Sequence, residues 1–412
     1  MFQDSEEYLS RRFTPFVPPN LTISDIRKAI PPELHQKSMA RGLWVGFRNV
    51  LCVAGFYYLG ASIESVTPVI AAYLPFGPIS TSLVRWTLWT SYWFWQGVGM
   101  AGLWCYGHEC GHGTISDSNW LNNTLGYILH TSLFTPYFAW RATHRAHHKA
   151  VGSMERDENY VPAVRSDLGL KSEKTKQGLD YHEVFEDTPI YTLVMMLVMQ
   201  LLGLQLYFVA NTMGSPSYPK GTNHFSPTSP LFKRHERLAI LASDLGLVLM
   251  GYLLWVYTAH VGSAAMIKLY FIPYLLSNHW IVLITFLHHC DPTLPHYRKN
   301  EWTFVRGAVG TVDRPIMGWI GRFFFHNVSH DHVAHHLFSS IPFYNQPLVT
   351  EHLKTVLGEH YNYDPTPCFR ALYRSFTECA FVEDEGDIIF YKNRKGEAVR
   401  FLQPDVEEQL SQ

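Results

Sequence analysis

Five stretches of this chain approach the roughly 20 apolar residues needed to cross a hydrocarbon core as one helix. They are Leu43 to Ile63, Trp86 to Gly107, Ile190 to Ala210, Leu238 to Tyr257 and Leu269 to Leu287. The second holds five tryptophans and no charged residue. A soluble chain can bury one such helix, not five, so an all-α, polytopic membrane protein is expected. A weaker run, Leu121 to Trp140, is broken by polar residues. Mean hydropathy is only −0.06, which requires large polar portions outside the bilayer. Those portions are His108 to about Arg237 and everything after His288.

Composition narrows the function classes. With 47% hydrophobic and 17% charged residues, the 412-residue chain is too apolar for disorder. A formal net charge of −2 gives no reason to expect a nucleic-acid partner. Six cysteines without a CxxC pair suggest reduced thiols rather than a disulfide framework or zinc ribbon. The opening "MFQDSEEYLSRRF" has no apolar core and reads as neither a cleaved signal nor a transit peptide.

The 22 histidines are the outlier, and many fall in three boxes. "HECGH" spaces His108 and His112 four apart; "HRAHH" places His144, His147 and His148; "HVAHH" repeats that spacing with His332, His335 and His336. On a helix, residues three and four apart share a face, so each box presents imidazoles in one direction. One HxxxH is often incidental; two HxxHH copies beside it are hard to attribute to chance. Eight imidazoles exceed what one zinc takes and suit two metals of about four ligands each. Imidazole accepts zinc, copper, iron and nickel, so ligand type does not choose the metal. A membrane setting favours a redox pair able to use dioxygen on a lipid C–H bond. Glu109 and Asp331 adjoin boxes but should face away from the histidine side of their helices.

The boxes, their order and their surroundings resemble membrane-bound fatty-acid desaturases, specifically the delta-12/omega-3 acyl-lipid branch. The resemblance extends through "DIRKAIP", "WRATHRAHH", "DPTLPHY", "GAVGTVDR", "HVAHHLFSSIPFYN" and "FVEDEGDIIFYK", from about Thr22 to Lys392. It implies an oxygen-dependent enzyme with two iron ions, with dioxygen as co-substrate and a fatty-acyl lipid as substrate. Separate cytochrome b5 and its NADH-dependent reductase would supply electrons, since no "HPGG" haem signature is present. The implied ligands are His108, His112, His144, His147, His148, His332, His335 and His336, with His289 of "FLHHCDP" as a ninth. His288 and His296 are expected to be supporting residues. Many relatives have aspartate where His330 stands, so His330 is expected at the surface or behind the ligands. His326 is a possible partner of a ligand ring. Arg141, Arg145 and Lys149 beside box two could dock an acidic electron donor.

If the boxes meet, they share one side of the membrane. Four spans are then expected, with Ile190 to Ala210 and Leu121 to Trp140 re-entrant or lying in the interface. "KRHER" is placed in the cytosol by the positive-inside rule. A single desaturase domain results: a cytosolic segment 1–42, a membrane region 43–287 with boxes one and two, and a cytosolic part 288–412 with box three. Both termini and a helical cap holding the di-iron site face the cytosol of the endoplasmic reticulum. The sequons at Asn20, Asn122 and Asn327 would then stay unglycosylated. The expected reaction is delta-12 desaturation of an oleoyl to a linoleoyl chain. The alternatives are an omega-3 or bifunctional desaturase, a fatty-acyl hydroxylase and, outside enzymes, a histidine-rich metal transporter. A transporter would place its ligands at midplane within spans, whereas these boxes sit at or beyond the ends of the apolar runs.

Overall fold

A computed structural model describes residues 3–170 and 188–410. It is mostly helical, with one two-stranded antiparallel sheet pairing Pro295–Tyr297 (β1) with Ile388–Phe390 (β2). The helices that position the histidines are Glu6–Phe13 (α1), Met39–Ala71 (α2), Pro78–His112 (α3), Asn119–Thr131 (α4) and Tyr137–Ala150 (α5). After them come Pro189–Ala210 (α6), Arg237–Val261 (α7), Ile272–His289 (α8), His332–Leu337 (α9) and Cys368–Glu378 (α10).

Four described stretches are long and apolar enough to cross a membrane: Met39–Ala71, Pro189–Ala210, Arg234–Val261 and Ser263–His289. Three contain runs expected to span. The fourth is the run expected in the interface, and it forms one unbroken helix. The tryptophan-rich run lies within α3, whose tryptophans, tyrosines and glycines lower its mean hydropathy. The weaker run at Leu121 to Trp140 is split between α4 and α5. With 13 residues, α4 is about 20 Å long, too short for a core of about 30 Å.

Helix α3 opens with Gly77 and Pro78 and closes at Gly113, whose φ of +74° supplies the left-handed turn that ends a helix. Its 35 residues make a rod of about 52 Å, so one end must project beyond a bilayer core. His108 and His112 sit in its last two turns. Small residues let α2 approach it: a Cβ on Gly46 would lie 2.5 Å from the Tyr106 ring, and one on Gly60 2.4 Å from Tyr92. On its other side α3 packs against the mostly buried α8, which ends at His289.

Both ends of the chain build the cap. Ile26, Ile30 and Leu34 share a core with Val305, Val309, Val349 and Leu353. Nearby, Arg314 pairs with Asp291 at 2.7 Å and Asp364 at 2.6 Å, and Arg374 reaches Asp364 at 2.5 Å. From α1, Arg11 approaches Asp291 at 3.7 Å. Burial raises the Asp364 pKa, but Arg314 and Arg374 outweigh it and hold the carboxyl well below its usual range.

Candidate metal centre

The structure brings all nine expected histidines into one cluster. Five of them, His108, His112, His144, His148 and His335, offer nitrogens within 4.8 Å of one another; His147, His289 and His336 form a second group. His332 joins the second group through its Nε2, 3.0 Å from that of His289. His148 and His336 stack with centroids 4.2 Å apart and link the groups.

Helical geometry explains the division. His144 and His148 are one turn apart, while His147 is turned about 100° from His148. Box two therefore sends two rings to one group and one to the other. Box three divides likewise, with His335 in the first group and its neighbour His336 in the second. His289, although it ends a long apolar helix as His112 does, does not group with His108 and His112. Box two intervenes, and His289 faces His147 and His336, with centroids 4.7 and 5.0 Å away.

The spacing fits a cation. In the first group, Nε2 of His112 is 3.3 Å from that of His108 and 3.0 Å from that of His144; His144 and His108 are 2.9 Å apart, and His144 and His148 3.1 Å. Nitrogens about 2.1 Å from a shared metal must lie about 3.0–3.4 Å from each other. Neutral imidazoles have too few N–H groups to satisfy such a convergence alone. Nε2 of His335 and both nitrogens of His336 are buried without a protein partner. Burial, with neighbouring imidazoles adding to it, holds His144, His148, His332 and His336 well below the ordinary histidine pKa; burial holds His335 down to about 3. They are therefore neutral at physiological pH, the form that ligates metal.

Two carboxylates stand behind the rings. Glu109 does not face away: its Oε1 is 3.1 Å from His108 Nδ1 and 3.9 Å from His335 Nδ1, and its Oε2 accepts from Thr114 at 2.8 Å. Rotation by one residue moves its Cα off the histidine face, but the side chain folds back onto its neighbour. Asp157, ten residues past His147, accepts from His147 Nδ1 at 2.6 Å. It lies in a loop, where no periodicity marks it, and sequence reasoning missed it. Asp331 does face away, pairing with Arg322 at 2.7 Å.

The remaining histidines sort by contact. His288 stacks on His332 at 4.3 Å and bonds the Val312 carbonyl through Nδ1, so it supports a ring of the cluster. His296 packs edge-on against Tyr391, outside both groups. His330 is also outside both groups and is buried rather than at the surface. His326 bonds the Gly102 carbonyl, not a ligand ring as expected. Arg145 and Lys149 are exposed, whereas Arg141 donates to the Gly111 carbonyl.

An apolar cavity of about 260 Å³ opens onto the cluster. His108, His144, His147, His289 and His332 line one end, with Trp104, Trp140 and Tyr160 beside them. Met195, Met199, Ile281, Val282 and Phe376 line the rest. The family model for fatty acid desaturases matches residues 86–366, which include every histidine of the cluster. The chain belongs to the fatty acid desaturase family. This desaturase is 41% identical to a delta(12) fatty acid desaturase of Mortierella isabellina over 91% of each chain. It is 38% identical to a delta(12)-fatty-acid desaturase of Arabidopsis thaliana, over 91% of this chain and 92% of that one. An oleate hydroxylase of Claviceps purpurea is also 38% identical, over 92% of this desaturase and 82% of the hydroxylase.

Proposed function

We propose that this desaturase inserts a cis double bond at the delta-12 position of an oleoyl chain, giving a linoleoyl chain. The observation that carries the reading is the apolar cavity ending on five imidazoles of the cluster. A saturated segment of an acyl chain offers no handle except shape and dispersion, and this lining supplies both. The nine histidines would hold two iron ions, His108, His112, His144, His148 and His335 around one and His147, His289, His332 and His336 around the other. Bound iron supplies the one-electron steps and the dioxygen chemistry that removal of two unactivated hydrogens needs. Trp104 and Trp140 pack on His108 and His144 and keep water from the rings. Glu109 and Asp157 fix the tautomers of His108 and His147, leaving each Nε2 lone pair aimed inward.

The relatives named as delta-12 desaturases support this regiochemistry, and the hydroxylase defines the outcome to test against. In the reading adopted here α2, α3, α7 and α8 cross the endoplasmic reticulum membrane and α6 lies along its cytosolic interface. Both ends of α6 touch cap segments: Tyr191 lies 5.9 Å from the Arg394 guanidinium, and Tyr207 donates to Asn159 at 2.8 Å. Cytochrome b5 and its reductase are the electron source in this reading, and the single domain runs through the whole chain. Expression in a host that makes oleate but no polyunsaturated lipid, followed by gas chromatography of its lipids, tests the reaction. A linoleate peak is expected. A hydroxylated acid, or a new double bond appearing only when the host is fed linoleate, would overturn the delta-12 assignment.

A further inference from the structure

The two imidazole groups are held differently. Glu109, behind the first group, is part of the rigid α3 helix. Asp157, behind the second, belongs to the loop Gly152–Tyr160. Asp157 Oδ1 accepts from His147 Nδ1 and from the Asn159 N–H at 3.2 Å; its Oδ2 accepts from the Gly152 N–H at 2.8 Å. The loop docks on β1 through Met154 N–H to the Tyr297 carbonyl (3.0 Å) and Tyr297 N–H to the Gly152 carbonyl (2.9 Å). At its far end Tyr160 stacks on His289, with centroids 5.0 Å apart. Two of the four imidazoles of the second group, His147 and His289, are therefore braced by one loop, and the five of the first group make no such contact with it.

We propose that Asp157 is a positioning residue that sets the tautomer and aim of His147, making the metal position of His147, His289, His332 and His336 separately removable from the five-histidine position. Donation from Nδ1–H to the carboxylate leaves the Nε2 lone pair toward His289 and His336 and raises ring basicity. Without the carboxylate, His147 can take the other tautomer, and the loop loses the acceptor shared by Gly152 and Asn159. The inference rests on the di-iron reading above.

The test is iron stoichiometry of the purified full-length protein, measured by elemental analysis beside its circular dichroism. Wild type should carry about two irons per chain. Asp157→Ala should retain about one, matching His147→Ala, and Asp157→Asn should lose one iron to a chelator 10- to 100-fold faster than the other. Should Asp157→Ala fail to fold, the Asp157→Asn chelation curve decides: two phases of equal amplitude support the proposal, and a single phase releasing both irons overturns it. Two retained irons in folded Asp157→Ala would also overturn it. Fewer than two irons in wild type would defeat the di-iron reading itself, and the proposal with it.

Discussion

The Tyr160 ring lies nearly parallel to the His289 imidazole, with planes 8° apart and centroids separated by 5.0 Å. Tyr160 also has a φ of +58° and donates its N–H to the Met213 carbonyl at 2.7 Å. A non-glycine residue in the left-handed region persists only where its surroundings over-determine it. Here it puts one ring against both a cluster histidine and the acyl cavity. Tyr160→Phe should keep iron and most activity, because stacking needs only the ring. Tyr160→Ala should lower iron affinity or turnover by about 10- to 100-fold, the usual cost of removing support behind a ligand. Iron content and linoleate yield measured on the same preparations check this.

His289→Ala should lose iron and activity, since its imidazole meets His147, His332 and His336. His288→Gln should cost much less, because His288 supports His332 by stacking and bonds only a backbone carbonyl. His330→Ala should keep measurable activity. Elemental analysis and product yield across the three variants decide; iron loss on His330→Ala with His289→Ala unaffected would reverse the assignment.

The arginine–aspartate cluster should make the cap acid-sensitive. The folded Asp364 pKa lies below its unfolded value, so its contribution is fully present above about pH 4. It is lost as pH falls below that value toward the folded pKa. Arg314→Met would leave Asp364 on Arg374 alone and Asp291 only on the more distant Arg11 and Arg374, and this under-compensation of buried charge should cost about 3 kcal/mol. Thermal unfolding in detergent from pH 7 to pH 3 should show a steepening loss of stability below pH 4 in the wild type.

Charge reversal at Arg145 and Lys149 should weaken use of an acidic electron donor without stripping iron, since both side chains are exposed beside box two. With purified cytochrome b5 as donor, the double variant should show a several-fold higher KM for donor at low salt. That difference should shrink as salt screens the attraction.

Spacing made eight of the nine converging histidines legible, and the family resemblance at "FLHHCDP" added His289. The 100° turn between successive helical residues also encodes the division of His147 from His148, and of His335 from His336. Glu109 escapes the helical pattern because its side chain folds back toward His108 from a Cα that points off the histidine face. Asp157 and Tyr160 lie in an irregular loop whose path depends on pairing with Tyr297, some 140 residues later, and no local pattern encodes that. The apolar runs marked the long helices, but hydropathy cannot distinguish a helix that crosses the bilayer from one that lies along it. The polar part of the union of the chain's two ends in one cap consists of single contacts such as Arg11 to Asp291, which leave no periodic trace.

That union bears on how the protein is made. Arg11 donates to Thr293, 282 positions away, and Ser5 to Asp364, 359 positions away. During synthesis α1 leaves the ribosome long before any of these partners exist. It must wait unpartnered while the long apolar helices are made, and box three arrives only slightly before the last of its acceptors. Closure of the cap and completion of the histidine cluster therefore belong to the final stage of translation, so a nascent chain truncated before residue 332 should be inserted in the membrane yet lack a third of the clustered imidazoles.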